Sequence, residues 1–219
     1  MNSLSRTLLF SLISILISGC TVVEHLASES SYRFDAGDIL VANDSVQCRI
    51  AIFGSITADT VRAFRLAAND ANGRNCQERW VMLHSQGGDV LSAINIGEII
   101  RKSNYNTEVI SEGICHSACG LIFISGIERE APVALLGSAR MGFHQAFTID
   151  SSGNRTCQTR DSYTAAEIGA FSRKMLPNEA AKQFYSNVIE TDCSRIRLFT
   201  PDELVKSGIA TGTNNLQLL

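Results

Sequence analysis

The sequence predicts an α/β domain of repeated β-α units around a mostly parallel sheet, and three observations carry that expectation. Gln47-Cys48-Arg49-Ile50-Ala51-Ile52-Phe53-Gly54 is β-branched and partly alternating, and Trp80-Val81-Met82-Leu83-His84 is nearly continuous in apolar residues, as in strands buried on both faces. Each run is followed by a stretch with helical apolar spacing: Val61, Phe64, Leu66 and Ala67 after the first, and Val90, Ile94, Ile96, Ile99 and Ile100 after the second. The 219 residues, 45% hydrophobic and 19% charged, suffice for one domain with a full core.

The elements follow in order. Thr57-Ala58-Asp59 opens the first helix, and residues 89–102 form the second. Residues 107–111 are a third strand and 118–127 a third helix, while residues 133–147 contain a fourth strand that delivers His144. Residues 149–161 read as an inserted polar loop, and 163–191 as mostly helical with a break at Pro177. The last helix falls within 198–208, where Thr200-Pro201-Asp202-Glu203 supplies an N-cap, a proline in the first turn and a glutamate three residues from the cap. Alternation of this kind argues right-handed crossovers in one sheet.

The N-terminus is expected to lie outside this domain. Met1 to Arg6 carries one positive charge, and Thr7 to Ser18 is an apolar run shorter than the roughly 20 residues a membrane span requires. Residues 1–19 therefore read as a signal peptide. Ile17-Ser18-Gly19-Cys20 resembles the lipobox of bacterial lipoproteins, which implies that Cys20 is lipidated and becomes the new N-terminus. An ordinary cleaved signal is the alternative. By the same resemblance Thr21 points to the outer membrane, with the chain facing the periplasm. Residues 20–45, polar and weakly patterned, are expected to be a tether that includes His25, with the domain spanning 46–219.

Of the seven cysteines, six remain once Cys20 is set aside: Cys48, Cys76, Cys115, Cys119, Cys157 and Cys193. An even number in an exported domain suggests disulfides. Six cysteines allow 15 pairings, among which the sequence does not choose, but proximity along the expected sheet favours Cys48 with Cys76 and Cys157 with Cys193, which would leave Cys115 and Cys119 together. The net charge of −3, with no basic stripe of interleaved aromatics, argues against a nucleic-acid partner.

Chemistry concentrates at three points. Cys115-His116-Ser117-Ala118-Cys119-Gly120 places a serine at a turn between a predicted strand and a predicted helix. Gln86-Gly87-Gly88-Asp89 follows an earlier strand, and two glycines there allow an amide to point at an oxyanion. Met141-Gly142-Phe143-His144-Gln145 ends a later strand and offers a base. His116 ranks second as the base, and His84 lies ahead of the glycines. A metal reading through Cys115, His116 and Cys119 is the weaker alternative, because oxidising conditions favour a disulfide. No metal and no cofactor are expected, and there is no Walker-type loop for ATP.

Taken in order, Leu83-His84-Ser85-Gln86-Gly87-Gly88-Asp89-Val90, Cys115-His116-Ser117-Ala118-Cys119 and Gly137-Ser138-Ala139-Arg140-Met141-Gly142-Phe143-His144-Gln145 resemble the proteolytic subunit of Clp protease and its exported relatives. The resemblance runs from about Val46 to Ala210. It implies a crotonase-like fold, Ser117 as nucleophile, His144 as general base, and an oxyanion hole from the amides of Gly88 and Ala118. It also implies peptide or protein substrates and a homo-oligomer. The family's acid falls a few residues ahead of the tail helix, where this chain has Ser194-Arg195-Ile196-Arg197. Asp192 is the expected substitute over Glu190, because a Cys157 to Cys193 bridge would hold it near His144. The functional expectation is a lipid-anchored, ATP-independent serine peptidase of the cell envelope. Its rival is an inactive Clp-like binding or scaffolding protein, and acyl-CoA chemistry ranks below both.

Overall fold

The computed structural model describes residues 30–44, 46–131 and 140–213. Signal peptide, Cys20, His25 and Gly137 to Ala139 lie outside the described residues. Six strands form the main sheet: β1 (Ser30–Phe34), β2 (Gly37–Asn43), β3 (Gln47–Gly54), β4 (Glu78–His84), β5 (Asn106–Val109) and β7 (Arg129–Glu130), in the order β1-β2-β3-β4-β5-β7. The run from β3 to β7 is parallel, as the predicted crossovers require. Helices α1 (Ala58–Gly73) and α2 (Val90–Lys102) provide the first two crossovers.

Local chemistry sets these helix boundaries. Thr57 caps α1, its hydroxyl accepting from the Thr60 amide while Thr60 Oγ1 accepts from the Thr57 amide. Asp89 caps α2 by accepting from the Ser92 amide at 2.7 Å. The buried residues Ala63, Phe64, Ala67 and Ala71 of α1 and Ala93, Ile96 and Ile100 of α2 join Ile50, Ile52, Val81 and Leu83 of the sheet in one core.

The tether expected over 30–45 is corrected from Ser30 onward. Strands β1 and β2 form an antiparallel hairpin that adds to β3. Alternating Ile39 and Val41 are fully buried beneath α1. Polar ties fix the hairpin from outside: Tyr32 Oη donates to Asp70 Oδ2 at 2.9 Å and Arg74 Nη2 to Ser30 Oγ at 3.0 Å. The apolar run here, Ile39-Leu40-Val41-Ala42, does not alternate and is only four residues long between Gly37-Asp38 and Asn43-Asp44, too short a signal to stand out in the sequence.

A second difference shapes the site. The predicted strand running into Cys115 is two strands in two sheets. Strand β5 ends at Val109, a turn with Glu112 at φ 57° follows, and β6 (Ile114–His116) enters a smaller sheet with β8 (Arg140–Phe143) and β11 (Arg197–Phe199). The predicted third helix is the short α3 (Cys119–Phe123). The predicted inserted loop contains most of a hairpin, β9 (Phe147–Ile149) and β10 (Arg155–Cys157). Helices α4 (Tyr163–Met175) and α5 (Asn178–Glu190) flank Pro177, and α6 (Pro201–Lys206) carries the Thr200 and Glu203 capping box.

The six cysteines pair as Cys48–Cys76, Cys115–Cys119 and Cys157–Cys193. The first closes a loop of 28 residues across β3 and the entry to β4, which by chain entropy contributes on the order of 3–4 kcal/mol. Arg129 ties the tail to the sheet, donating to the carbonyls of Ile209 at 2.8 Å and Gly126 at 3.1 Å. Burial lowers its pKa to about 10, so the guanidinium stays charged at neutral pH.

Asp70 makes the hairpin's anchorage pH-dependent. Hydrogen bonding to Arg74 is the first cause that lowers its carboxyl from the ordinary 3.8 to about 2, with Ser30 and Tyr32 adding to it. A depressed folded-state pKa stabilises the fold above the unfolded value and is lost as pH falls through the folded one. Urea titrations should show Asp70→Asn less stable than wild type at pH 7 by on the order of 1–2 kcal/mol, after allowance for partial solvent screening. The gap should close between about pH 4 and pH 2; a constant gap would show that charge is not the cause.

Candidate active site

Ser117 sits where the chain leaves β6 for α3, and its backbone is left-handed, with φ 54°. For a residue with a Cβ that conformation costs on the order of 1–3 kcal/mol, so its surroundings must impose it. They do so at three atoms. The Ser117 amide donates to Gly142 O on β8 at 2.8 Å, the Ser117 carbonyl accepts from the Gly120 amide at 2.9 Å, and the preceding His116 amide donates to Ser85 O at 3.0 Å. The Cys115–Cys119 disulfide closes the turn from beneath, with both cysteines fully buried. The Ser117 hydroxyl has no hydrogen-bond partner among the described residues.

The Gly-Gly turn lies directly on the serine. Gly87 has φ 92°, and a Cβ there would stand 2.5 Å from His116 O and 2.8 Å from Ser117 Cβ. Gly88, at φ 149°, passes Ile56 so closely that a Cβ would meet its carbonyl oxygen at 2.1 Å. Among the described residues the amides of Gly88 and Ala118 donate to no acceptor. Two unpaired donors beside a serine are what a developing oxyanion requires.

Ser117 and His144 line one narrow cleft, with Val90, Ala118, Leu121, Ala146, Ile168, Phe184 and Val188 completing its wall. All but the two polar residues are apolar. The sequence reading of 163–191 as mostly helical does not single out Ile168, Phe184 or Val188, because nothing in the sequence says that this face meets a serine.

His144 is held differently from the expectation. Its Nδ1 lies 2.7 Å from Gln145 O, so a protonated Nδ1 donates to a carbonyl and leaves Nε2 as the acceptor. Gln145 is in turn clamped to the end of α5, its amide donating to Thr191 O and its Nε2 to Ile189 O, both at 2.8 Å. Phe147 stacks on the imidazole with centroids 5.8 Å apart and planes 26° from parallel, and the Arg155 guanidinium lies 4.0 Å from the centroid of Phe147. Such a cation–π contact contributes about 0.5–1 kcal/mol at an exposed site. Sequence reading missed Gln145, Phe147 and Arg155, because their roles depend on a hairpin whose polar sequence reads as a loop.

Asp192 is not brought to His144. Its Oδ1 accepts from the Ser194 amide at 2.9 Å and hydroxyl at 2.6 Å, and these bonds lead the causes that lower its pKa. The Cys157–Cys193 bridge does bring the chain at 191–193 beside His144's strand, but the Asp192 carboxylate is exposed and bonded to Ser194. His116 does not line the cleft; burial is the first cause that lowers its pKa, followed by Arg140 and His144, and its Nε2 is buried without a partner. His84 faces Phe53 away from the cleft, at 5.9 Å between rings. The metal alternative through Cys115 and Cys119 fails because both sulfurs are in a disulfide. Among the described residues Cys157, Asp192 and Cys193 gather ligand atoms within 4.8 Å, but again both sulfurs are bonded to each other.

A strand-turn serine, a strand-end histidine and two free amides around an apolar cleft are the order of parts that the resemblance implied. The model of the Clp protease family matches residues 43–213, and the chain belongs to that family. Solved structures with the same architecture include a variant of the membrane-bound stomatin-specific protease 1510-N in complex with a substrate peptide, 18% identical with a TM-score of 0.60, covering 77% of this chain and 74% of that one. An enoyl-CoA hydratase from Mycobacterium marinum is 13% identical with a TM-score of 0.54, covering 81% and 77%. These likenesses establish the fold, a mixed α/β architecture shared by Clp-like and crotonase-like proteins. No curated sequence matches significantly.

Gly87→Ala tests the convergence of the two turns. Clash and a disfavoured φ together should destabilise the domain by at least about 2 kcal/mol in thermal or urea unfolding. Unchanged stability would show that the Gly-Gly turn does not rest on Ser117.

Proposed function

We propose that the chain is a serine peptidase of the cell envelope, with Ser117 as nucleophile and His144 as general base. The observation that carries the reading is Ser117 itself: a serine forced into a left-handed turn, its hydroxyl unpartnered, on the wall of the cleft that His144 also lines. In the proposed reaction Ser117 Oγ attacks the peptide carbonyl carbon and its proton passes to His144 Nε2. The oxyanion is received by the Gly88 and Ala118 amides. The leaving amine takes the proton from His144 as the C–N bond breaks. Water then hydrolyses the acyl-Ser117 ester through the same base. The apolar wall of Val90, Leu121, Ile168, Phe184 and Val188 favours an apolar side chain beside the scissile bond.

Cys20 is proposed as a lipid anchor in the membrane with the domain facing the periplasm, and the enzyme as an ATP-independent homo-oligomer. Among the described residues no helix is long and apolar enough to cross a membrane. A second reading, an inactive binding or scaffolding protein, draws on one observation: His144 Nδ1 faces a carbonyl where a catalytic triad has a carboxylate.

Fluorophosphonate labelling of the folded protein separates the two. Wild type should label, and both Ser117→Ala and His144→Ala should lose labelling by about 10³-fold or more. A folded wild type that does not label sinks the peptidase and leaves the scaffold. Cleavage of a peptide library should favour apolar residues at the scissile bond, and a charged preference would contradict the assigned cleft.

A further inference from the structure

With Asp192 turned away, something else must hold the imidazole, and every tie on it leads to one place, the chain just after α5. We infer that the β9–β10 hairpin, stapled to that segment by Cys157–Cys193, is the positioning element for His144 in place of a third acid. This rests on the reading of Ser117 and His144 as a catalytic pair.

Four observations converge. Cys157 lies directly opposite Phe147 in the β9–β10 register, so the disulfide to Cys193 fixes the strand that backs the stacked ring. Arg155 is opposite Ile149, one pleat from Phe147, and reaches diagonally over the Phe147 ring while its Nη1 donates to Cys193 O at 2.9 Å. The hairpin is closed at its base by the Gln158 amide donating to Ala146 O at 2.7 Å. Gln145, whose carbonyl faces Nδ1, is bonded to Thr191 and Ile189 at the same anchor. Hairpin, stack and carbonyl thus all take their position from residues 189–193.

The chemistry follows from the acceptor. A carbonyl fixes the tautomer as a carboxylate does, with Nδ1–H donated and Nε2 directed at the serine, but it carries no charge to stabilise the imidazolium. Orientation therefore has to come from packing, and the Phe147 ring, which stacks on the imidazole and carries the anchored Arg155 guanidinium, supplies it. The charged and titratable neighbours of the ring are His116 on β6 and, through Phe147, Arg155 on β10. Asp192 Oδ2 lies 3.8 Å from Cys157 Sγ, beside the staple, and makes no hydrogen bond to His144.

Labelling kinetics with a fluorophosphonate probe, resolved into a maximal rate and a half-saturating concentration, test the inference on the full chain. Phe147→Leu and the double variant Cys157→Ser/Cys193→Ser should each lower the maximal rate roughly tenfold to hundredfold, with half-saturation changed by less than about twofold. Phe147→Tyr should restore the rate, and Asp192→Asn should leave it unchanged. Long-range proton–nitrogen spectra of His144 should show the Nδ1–H tautomer in wild type and tautomer averaging in Phe147→Leu. Wild-type rates and spectra in folded Phe147→Leu and in the double variant would overturn the inference, as would a loss in Asp192→Asn equal to that in His144→Ala. A wild type that does not label refutes the peptidase reading instead, and the tautomer spectra still decide whether the hairpin holds the ring.

Discussion

The left-handed backbone at Ser117 is the constraint around which the neighbouring structure is arranged. A serine at φ 54° gains nothing locally from that conformation, so bonds on either side must hold it. Strand β8 takes its amide, the first turn of α3 takes its carbonyl, and the Cys115–Cys119 bridge prevents the turn from opening into a longer helix or strand. These contacts dictate residue choices at a distance. Gly87 lacks a side chain because Ser117 occupies that space. Gly142, opposite His116, has the side chains of Ile196 and Leu198 where a Cβ would be. Gly120 likewise leaves room for the Phe143 ring, where a Cβ would lie 2.5 Å from it.

The two sheets meet at this constraint. Ser85 follows β4 of the main sheet and bridges to Cys115 of β6, so the Gly-Gly turn and the serine turn emerge side by side from different sheets. His144 arrives from β8, which pairs with β6 in parallel. Ser117 and His144 therefore depend on one short parallel pair, and the amides of Gly88 and Ala118 depend on the seam between the sheets. Helices α4 and α5 then close the cleft with apolar faces, which is why Ser117 and His144 sit against Ile168, Phe184 and Val188.

Legibility in the sequence followed the length of each signal. Helices α1 and α2 and strands β3 and β4 announce themselves by caps and by periodicity sustained over one or two turns or more, and the family resemblance adds the order Gly-Gly, serine, histidine. The β1–β2 hairpin escaped notice because Ile39-Leu40-Val41-Ala42 is a short apolar run without alternation, and its anchorage to Asp70 and Arg74 is a long-range contact. The division between β5 and β6 was legible only as the break Ser111-Glu112-Gly113, and a short break of that kind does not say which sheet each half joins. Asp192 shows the limit most clearly. The cysteine pairing that was expected to carry it to His144 does form, yet the rotamer of an exposed carboxylate is decided by the nearest donors, and Ser194 supplies two.

The choice between an enzyme and a scaffold that merely kept the fold turns on what the site costs. A binding module has no use for a strained serine, and relaxing Ser117 would return on the order of 1–3 kcal/mol. Nor has it a use for the Ala118 amide, which donates to no described acceptor at the wall of the cleft. Natural sequences break local rules where a function needs the exception. Here the exceptions are concentrated at one hydroxyl, and all have the sign that acyl transfer requires: a displayed nucleophile and free donors. The missing carboxylate weakens the base without removing the reason for the rest, because a neutral acceptor still selects the tautomer that leaves Nε2 free. On the proposed reading an imidazole held by packing would be a slower base than one held by a carboxylate, and the strained turn and unpaired amides at Ser117 are features that reading uses and a scaffold does not.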